Sequence, residues 1–255
     1  MLLFVHLRGV FLSPSGAGPR RCFGHSFPAV LCPLLGAVLA GHGRIWYTAG
    51  KQDPIPYYMR SCFTCLSWIP SPTRRTYRRF EQKPVPQDVV DDIIEAVRLS
   101  SSGANRQAVR LVVVNQPTDV ARVQPLVKWA AYLPPEQGTP KADELPTLFV
   151  AVVKDTAIPG DPATDIGIAL ANMTLAAWDK GVGSCIMGAI NKPVLTELLG
   201  IEAPQQLVYM VAFGYPSHKS HIVPLTAETG VKYYLDENRD YCVPKRSKEE
   251  IARYL

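Results

Sequence analysis

The segment Arg74-Arg75-Thr76-Tyr77-Arg78-Arg79-Phe80 sets four guanidinium groups and a hydroxyl within six residues. A guanidinium offers a planar fork of donors that matches phosphate oxygens two at a time, and it stays charged at any physiological pH. The chemistry this implies is phosphate binding; a solvated basic run, or one lying on nucleic acid, is the plainer alternative. Two more segments carry suitable groups. Ser100-Ser101-Ser102-Gly103-Ala104-Asn105-Arg106-Gln107 offers hydroxyls and amides, and an amide presents both donor and acceptor to a ring edge of carbonyls and N–H groups. The same residue types also build ordinary caps and turns. Gly181-Val182-Gly183-Ser184-Cys185-Ile186-Met187-Gly188 has glycines that allow a flat ligand close to the backbone, or simply a tight turn into a strand.

Several common chemistries have no signature. No Gly-x-Gly-x-x-Gly joins a strand to a helix, and Gly183 to Gly188 lacks the P-loop lysine, with Ala189-Ile190 in its place. There is no His-Glu-x-x-His, nucleophile elbow or paired-carboxylate pattern, so no catalytic side chain and no metal site is expected. Cys62-Phe63-Thr64-Cys65 has zinc or redox spacing, but no second pair follows it.

Regular elements begin near Pro72. Val85 to Ser100 reads as a helix with Val89, Val90, Ile93, Ile94 and Val97 on one stripe. Val109 to Asn115, Thr147 to Val153, Cys185 to Met187 and Leu207 to Phe213 read as buried strands. Thr118 is expected to cap a helix over 119–132 that Pro125 interrupts. Thr164 to Lys180 is a long apolar helix closed by Gly181, and Pro193 opens another that Gly200 closes. Helices and strands interleave without a regular βαβ rhythm, which predicts an α+β layered fold. The arginine segment then precedes the first helix, the Ser/Asn loop joins that helix to a strand, and the glycine segment follows the long helix. The tail from Lys232 to Leu255 is polar, with few core signals.

The net charge of +5 misleads as to partners. Residues 1–56 hold Arg8, Arg20, Arg21, Arg44 and Lys51 against Asp53 alone, so the remainder is close to neutral. A broad nucleic-acid footprint is not expected. Residues 1–70 read as an N-terminal extension without a packed fold or as an overextended reading frame, and residues 71–255 as the domain. The apolar run from Phe27 to Gly41 is shorter than the roughly 20 residues of a membrane span, and it mimics a signal or transit segment. Free thiols and no membrane contact point to the cytoplasm.

Together the three segments, followed by Ala212-Phe213-Gly214-Tyr215-Pro216, resemble the FMN-dependent nitroreductase family over roughly the last 180 residues. The family pattern resembled is Arg-(Arg/His)-Ser-x-(Arg/Lys)-x-Phe, then Pro-Ser-x-x-Asn-x-Gln-Pro, a Gly-x-Gly segment and a strand ending in Gly-Tyr-Pro. The resemblance implies a central mixed or antiparallel sheet flanked by helices, a homodimer with FMN at the subunit interface, and a C-terminal tail exchanged with the partner subunit. It implies that Arg74, Arg75, Thr76 and Arg78 hold the FMN phosphate or ribityl chain. Ser102, Asn105 and Gln107 would contact the flavin. The backbone around Ile186, Met187 and Gly188 would lie against its ring, and Lys219 and His221 would lie near the phosphate.

The implied activity is ping-pong reduction of electron-poor acceptors, such as nitroaromatics or quinones, by NADH or NADPH. Lack of acid/base machinery agrees, because a flavin carries its own redox chemistry. Ser101, Ala108, Val109 and Ile186 depart from the family pattern and remove aromatic walls of a substrate pocket. Trp129, Tyr132 and the loop Pro134 to Asp143 are either a lid or an ordinary loop with two core aromatics. Alternatives are a module that senses FMN or a nucleotide without turnover, and a relative that performs flavin-based dehalogenation or cofactor synthesis.

Overall fold

A computed structural model describes residues 74–255. The readings of residues 1–70, including Cys62 and Cys65, lie outside the described residues.

The centre is a four-stranded antiparallel sheet in the order β1-β2-β4-β3, formed by β1 (Val109–Val114), β2 (Leu148–Asp155), β4 (Gln205–Gly214) and β3 (Gly183–Met187). The inner strands β2 and β4 are apolar runs rather than alternating ones because both faces are covered. Phe149, Ala151, Val153, Met187, Met210 and Ala212 share one core with Val120, Val123 and Leu195. These last belong to the helices α2 (Pro117–Val123) and α5 (Lys192–Leu198). Leu148, Val150, Val152, Val211 and Phe213 meet Val90, Ile93, Ile166, Leu170 and Met173 on the other face. There α1 (Gln87–Arg98) lies beside α4 (Ala163–Asp179). Leu207 and Met210 both reach the first core, although an odd spacing should separate them. A register shift at Val152/Val153 accounts for this, since one extra residue turns the following side chains to the other face.

Most expected elements appear within two residues of their bounds. Gly181 (φ 74°) and Gly200 (φ 60°) take the left-handed conformation that ends α4 and α5. The helix expected over 119–132 is different. It starts at Pro117, stops at Val123, and tightens into a 3-10 turn over Gln124–Leu126. Gln116 takes the cap position without a side-chain bond, so Thr118 is no cap. A helical turn at Pro135–Gly138 (α3) interrupts the following loop.

The tail carries more structure than its composition promised. β5 (Ser220–Pro224) pairs parallel with β7 (Tyr241–Lys245), and β6 (Tyr234–Leu235) pairs antiparallel with β7, making a second, three-stranded sheet. Tyr241 is 1 % exposed and is among the largest fully buried side chains. A short helix, α6 (Lys248–Ile251), follows.

Candidate functional site

The arginine segment runs along the outer edge of β3. Thr76 forms a parallel bridge with Ser184, and the Tyr77 N–H donates to the Ser184 carbonyl at 2.9 Å. Phe80 bridges Pro216, just past β4. Two glycines make this packing possible. A Cβ on Gly183 would lie 2.8 Å from the Tyr77 ring, and one on Gly214 would lie 2.9 Å from the Phe80 ring. Gly183 is thus explained by the chain's own packing rather than by a ligand. Gly188 differs: its nearest neighbour would be Tyr209 at 3.4 Å, an ordinary contact, and its backbone is exposed. Among the described residues nothing requires glycine there, so its open face suits a flat ring.

The segment's side chains alternate in role. Arg79 is buried, ion-paired to Glu144 at 3.8 Å, and donates to the Arg239 carbonyl. Glu144 also holds Arg239 at 3.2 Å. Burial raises the Glu144 carboxyl, but the Lys141 N–H and the two guanidinium groups hold it below the usual range. Arg79 is therefore a strut. Arg78 is half-buried and lies over the rings of Tyr233 (4.4 Å) and Tyr241 (4.9 Å), and its guanidinium has no ion pair or hydrogen bond among the described residues. The Nε of Arg74 is buried without a partner among the described residues. Burial, then Arg74, lowers the pKa of Arg75. Unspent guanidinium donors on β3's edge fit a phosphate or a carbonyl-rich ring, as FMN offers.

His218 joins the tail to this edge. Its Nε2 accepts the Arg78 N–H at 3.1 Å, so Nδ1 carries the proton and donates to the Lys219 carbonyl at 2.8 Å. Burial pushes its pKa down to about 4. Residue type and spacing did not single it out, and the only signal for it was its place between Tyr215-Pro216 and Lys219. The Lys219 N–H donates to Asp240 at 2.8 Å, and His221 Nε2 lies 3.7 Å from the Asp240 carboxylate. His221, Asp236 and Asp240 gather their ligand atoms within 4.8 Å. Both carboxylates already accept backbone N–H groups: Asp236 closes the turn at Asn238 and Asp240, and Asp240 ties the start of β7 to Lys219.

Met187 is buried, leaving only its backbone for a ligand, and Ile186 is 44 % exposed. Beyond them a cleft of about 450 Å³ is lined by Pro125, Leu126, Lys128, Gly188, Ile190 and Asn191. Val127 bridges Ile190, and the Lys128 N–H donates to the Ala189 carbonyl, which ties the start of the expected lid to this cleft. Tyr132 packs against Tyr233 with the ring centroids 5.1 Å apart and the planes inclined at 54°. Cys185 is buried and its thiol is pushed up to about 11, so it offers no nucleophile.

The Ser102–Gln107 loop is elsewhere. Ser102 Oγ accepts the Gln107 N–H at 2.8 Å, Gln107 donates to Asn105 Oδ1 at 3.1 Å, and the Gly103 N–H donates to Asp165 at 2.9 Å. Ala104, Asn105 and Gln107 all have φ between 51° and 53°. Three non-glycine residues in this region make a strained loop, which clusters at functional sites. It precedes the Val109 end of β1, in register with Lys154 and Gln206, whereas Thr76 lies in register with Ser184 and Phe213. Four strand spacings and seven residues of rise put the two about 30 Å apart, at opposite corners of the sheet. One chain thus sets Arg74, Arg75, Thr76, Arg78, Ile186, Met187 and Gly188 along β3 and its outer edge, with His218 on Arg78 and Lys219 and His221 just after it, and leaves Ser102, Asn105 and Gln107 apart.

The description of the family whose model matches residues 72–215 is Nitroreductase family. The chain belongs to that family. A Bacillus subtilis FMN reductase (NAD(P)H) is 27% identical over 208 residues, covering 71% of this chain and 79% of the relative. A crystal structure from Bacteroides thetaiotaomicron, named for NADH dehydrogenase or NAD(P)H nitroreductase, has a TM-score of 0.52. It is 18% identical and covers 71% of this chain and 92% of its own, a likeness of fold. An FMN-dependent nitroreductase from Clostridium difficile has a TM-score of 0.49 at 18% identity, covering 59% of this chain and 87% of that one. Among the described residues no helix is long and apolar enough to cross a membrane.

Proposed function

We propose that this protein is an FMN-dependent oxidoreductase that uses NADH or NADPH to reduce electron-poor acceptors, nitroaromatics or quinones among them, by a ping-pong sequence. The observation that carries this reading is Arg78, a cation without a counter-charge among the described residues, held on the edge of the strand that leads to the open backbone at Gly188. The Bacillus subtilis relative, named as an NAD(P)H-dependent FMN reductase, supports the same cofactor pair. Bound FMN supplies the two-electron chemistry. Arg74, Arg75, Thr76 and Arg78, with Lys219 and His221 at the start of β5, hold its phosphate and ribityl chain. The backbone from Ile186 to Gly188 supports the ring, and the cleft beside Lys128 and Ile190 receives reductant and acceptor in turn.

The reading includes a homodimer. A flavin nucleotide cannot reach from Arg74 to a loop about 30 Å away, so Ser102, Asn105 and Gln107 serve the site of a second copy. The exposed ends Tyr254 and Leu255 suit a tail that reaches a partner. Residues 71–255 act as the catalytic domain, with 1–70 an extension dispensable for flavin binding. Cys185 and Cys242, both buried free thiols, suit the cytoplasm.

The test is the visible spectrum of the purified protein, followed by anaerobic addition of NADH or NADPH. Bleaching of a flavin spectrum is expected. A flavin spectrum that persists would mean an FMN-sensing module, and a protein that stays colourless after incubation with FMN would end the reading.

A further inference from the structure

Arg78 and Arg79 are adjacent, yet the fold treats them in opposite ways. Arg79 is neutralised by Glu144 and donates to a backbone carbonyl. Arg78 receives no carboxylate among the described residues and is held only by aromatic faces and its own backbone. Its guanidinium carbon lies 4.4 Å from the Tyr233 centroid and 4.9 Å from that of Tyr241, both inside the range over which a ring face attracts a cation. The two rings are 5.8 Å apart and inclined at 56°, so they form a V into which the guanidinium fits.

Each wall of that V is braced. Tyr241 packs on His218 at 4.9 Å, and its N–H donates to the Lys219 carbonyl. Tyr233 packs on Tyr132 at 5.1 Å. His218 meanwhile accepts the Arg78 N–H, so both the backbone and the far end of Arg78 are fixed. The Tyr241 hydroxyl is buried without a partner among the described residues, which leaves the ring face as the useful part of this residue. A long cation fixed before its ligand arrives loses little freedom on binding and keeps all of its donors for that ligand.

We propose that Tyr233 and Tyr241 are positioning residues of the cofactor site, clamping the Arg78 guanidinium in the pose in which it meets the flavin nucleotide. This rests on the FMN reading above. The C-terminal segment thereby acquires a part in cofactor binding, because Tyr233 and Tyr241 preset a cation that lies more than 150 residues earlier in the chain.

The test is FMN titration of the full-length apoprotein, followed by quenching of flavin fluorescence. Tyr233→Leu, Tyr241→Leu and the corresponding phenylalanine variants are each made with Arg78 intact and with Arg78→Ala. With Arg78 intact, each leucine variant raises the FMN Kd about tenfold, while phenylalanine, which keeps the ring face, stays within about twofold. In the Arg78→Ala background the leucine effect shrinks below about twofold, because a clamp has nothing left to hold. Equal leucine effects in both backgrounds would mean that the rings only support the fold, and would overturn the proposal. So would wild-type affinity in Tyr233→Leu, whose half-buried site tolerates the change if Tyr241→Leu fails to fold. Failure of the wild-type protein to bind FMN overturns the flavin reading itself. FMN binding that Arg78→Ala leaves untouched overturns the clamp and the place of Arg78 in the cofactor site, while FMN remains the ligand.

Discussion

Lowering the pH should loosen this protein through His218, and replacing that residue should remove the effect. The imidazole is 9 % exposed and must stay neutral, because its Nε2 accepts the Arg78 N–H. Burial is the largest cause of its low pKa, and Arg79 and Arg78 also repel a second proton on the ring, while the Lys219 carbonyl and Asp240 partly offset them. In the unfolded chain the ring titrates at its ordinary 6.5, against about 4 in the fold. The unfolded state therefore binds more protons between these values, and stability falls as pH falls. His218 costs nothing above about pH 7. The penalty grows from pH 6.5 downward and reaches about 3 kcal/mol once the folded ring has titrated, at 1.36 kcal/mol per pH unit. Urea unfolding of the wild type and of His218→Gln, from pH 7.5 to 4.5, reads this directly. All other titrating groups are shared, so the difference between the curves isolates the imidazole. The wild type should lose about 2 to 3 kcal/mol relative to the variant over that range. Parallel curves would refute the argument and would mean that the ring is charged in the fold or reaches water.

Three other perturbations follow from the same geometry. Glu144→Gln leaves the Arg79 and Arg239 guanidinium groups facing each other without a carboxylate, and should lower the urea-derived stability by about 3 kcal/mol. Gly183→Ala drives a methyl group into the Tyr77 and Pro216 rings, and should cost about 1 to 3 kcal/mol in thermal or urea unfolding. It should also weaken FMN retention, because Tyr77 sits among the arginines. Ala104 holds φ 51°, so Ala104→Gly should gain up to about 1 kcal/mol, whereas the β-branched Ala104→Val should lose a comparable amount by the same measurement.

The central sheet was readable because its inner strands are buried on both faces, and a run such as Leu148 to Val153 has no other economical place, while Val109 to Val114, half-buried at the sheet's edge, is legible from its β-branched residues. The failures share one cause. Thr118 looked like a cap because its side chain can be one, but Pro117 already fits the first helical position and shifts the start to Gln116. The tail looked peripheral because Tyr233, Tyr234 and Tyr241 stand among charged residues, and nothing local says that Tyr241 is buried against His218. Gly183 looked like room for a ligand, yet the room is taken by Tyr77.

For the candidate site, residue types alone disclose the chemical inventory: the arginine cluster, the Ser/Asn loop, the glycine segment and their order along the chain. It also carried the resemblance to a family that the matching family model bears out. These properties depend on residue type and short-range spacing, which survive without knowledge of distant neighbours. Tertiary structure alone decided which arginine is a strut and which is left with unspent donors, since that depends on whether Glu144 or a tyrosine ring lies opposite. It alone put the loop at 102–107 at the far corner of the sheet, because strand order is set by long-range pairing that no local pattern encodes.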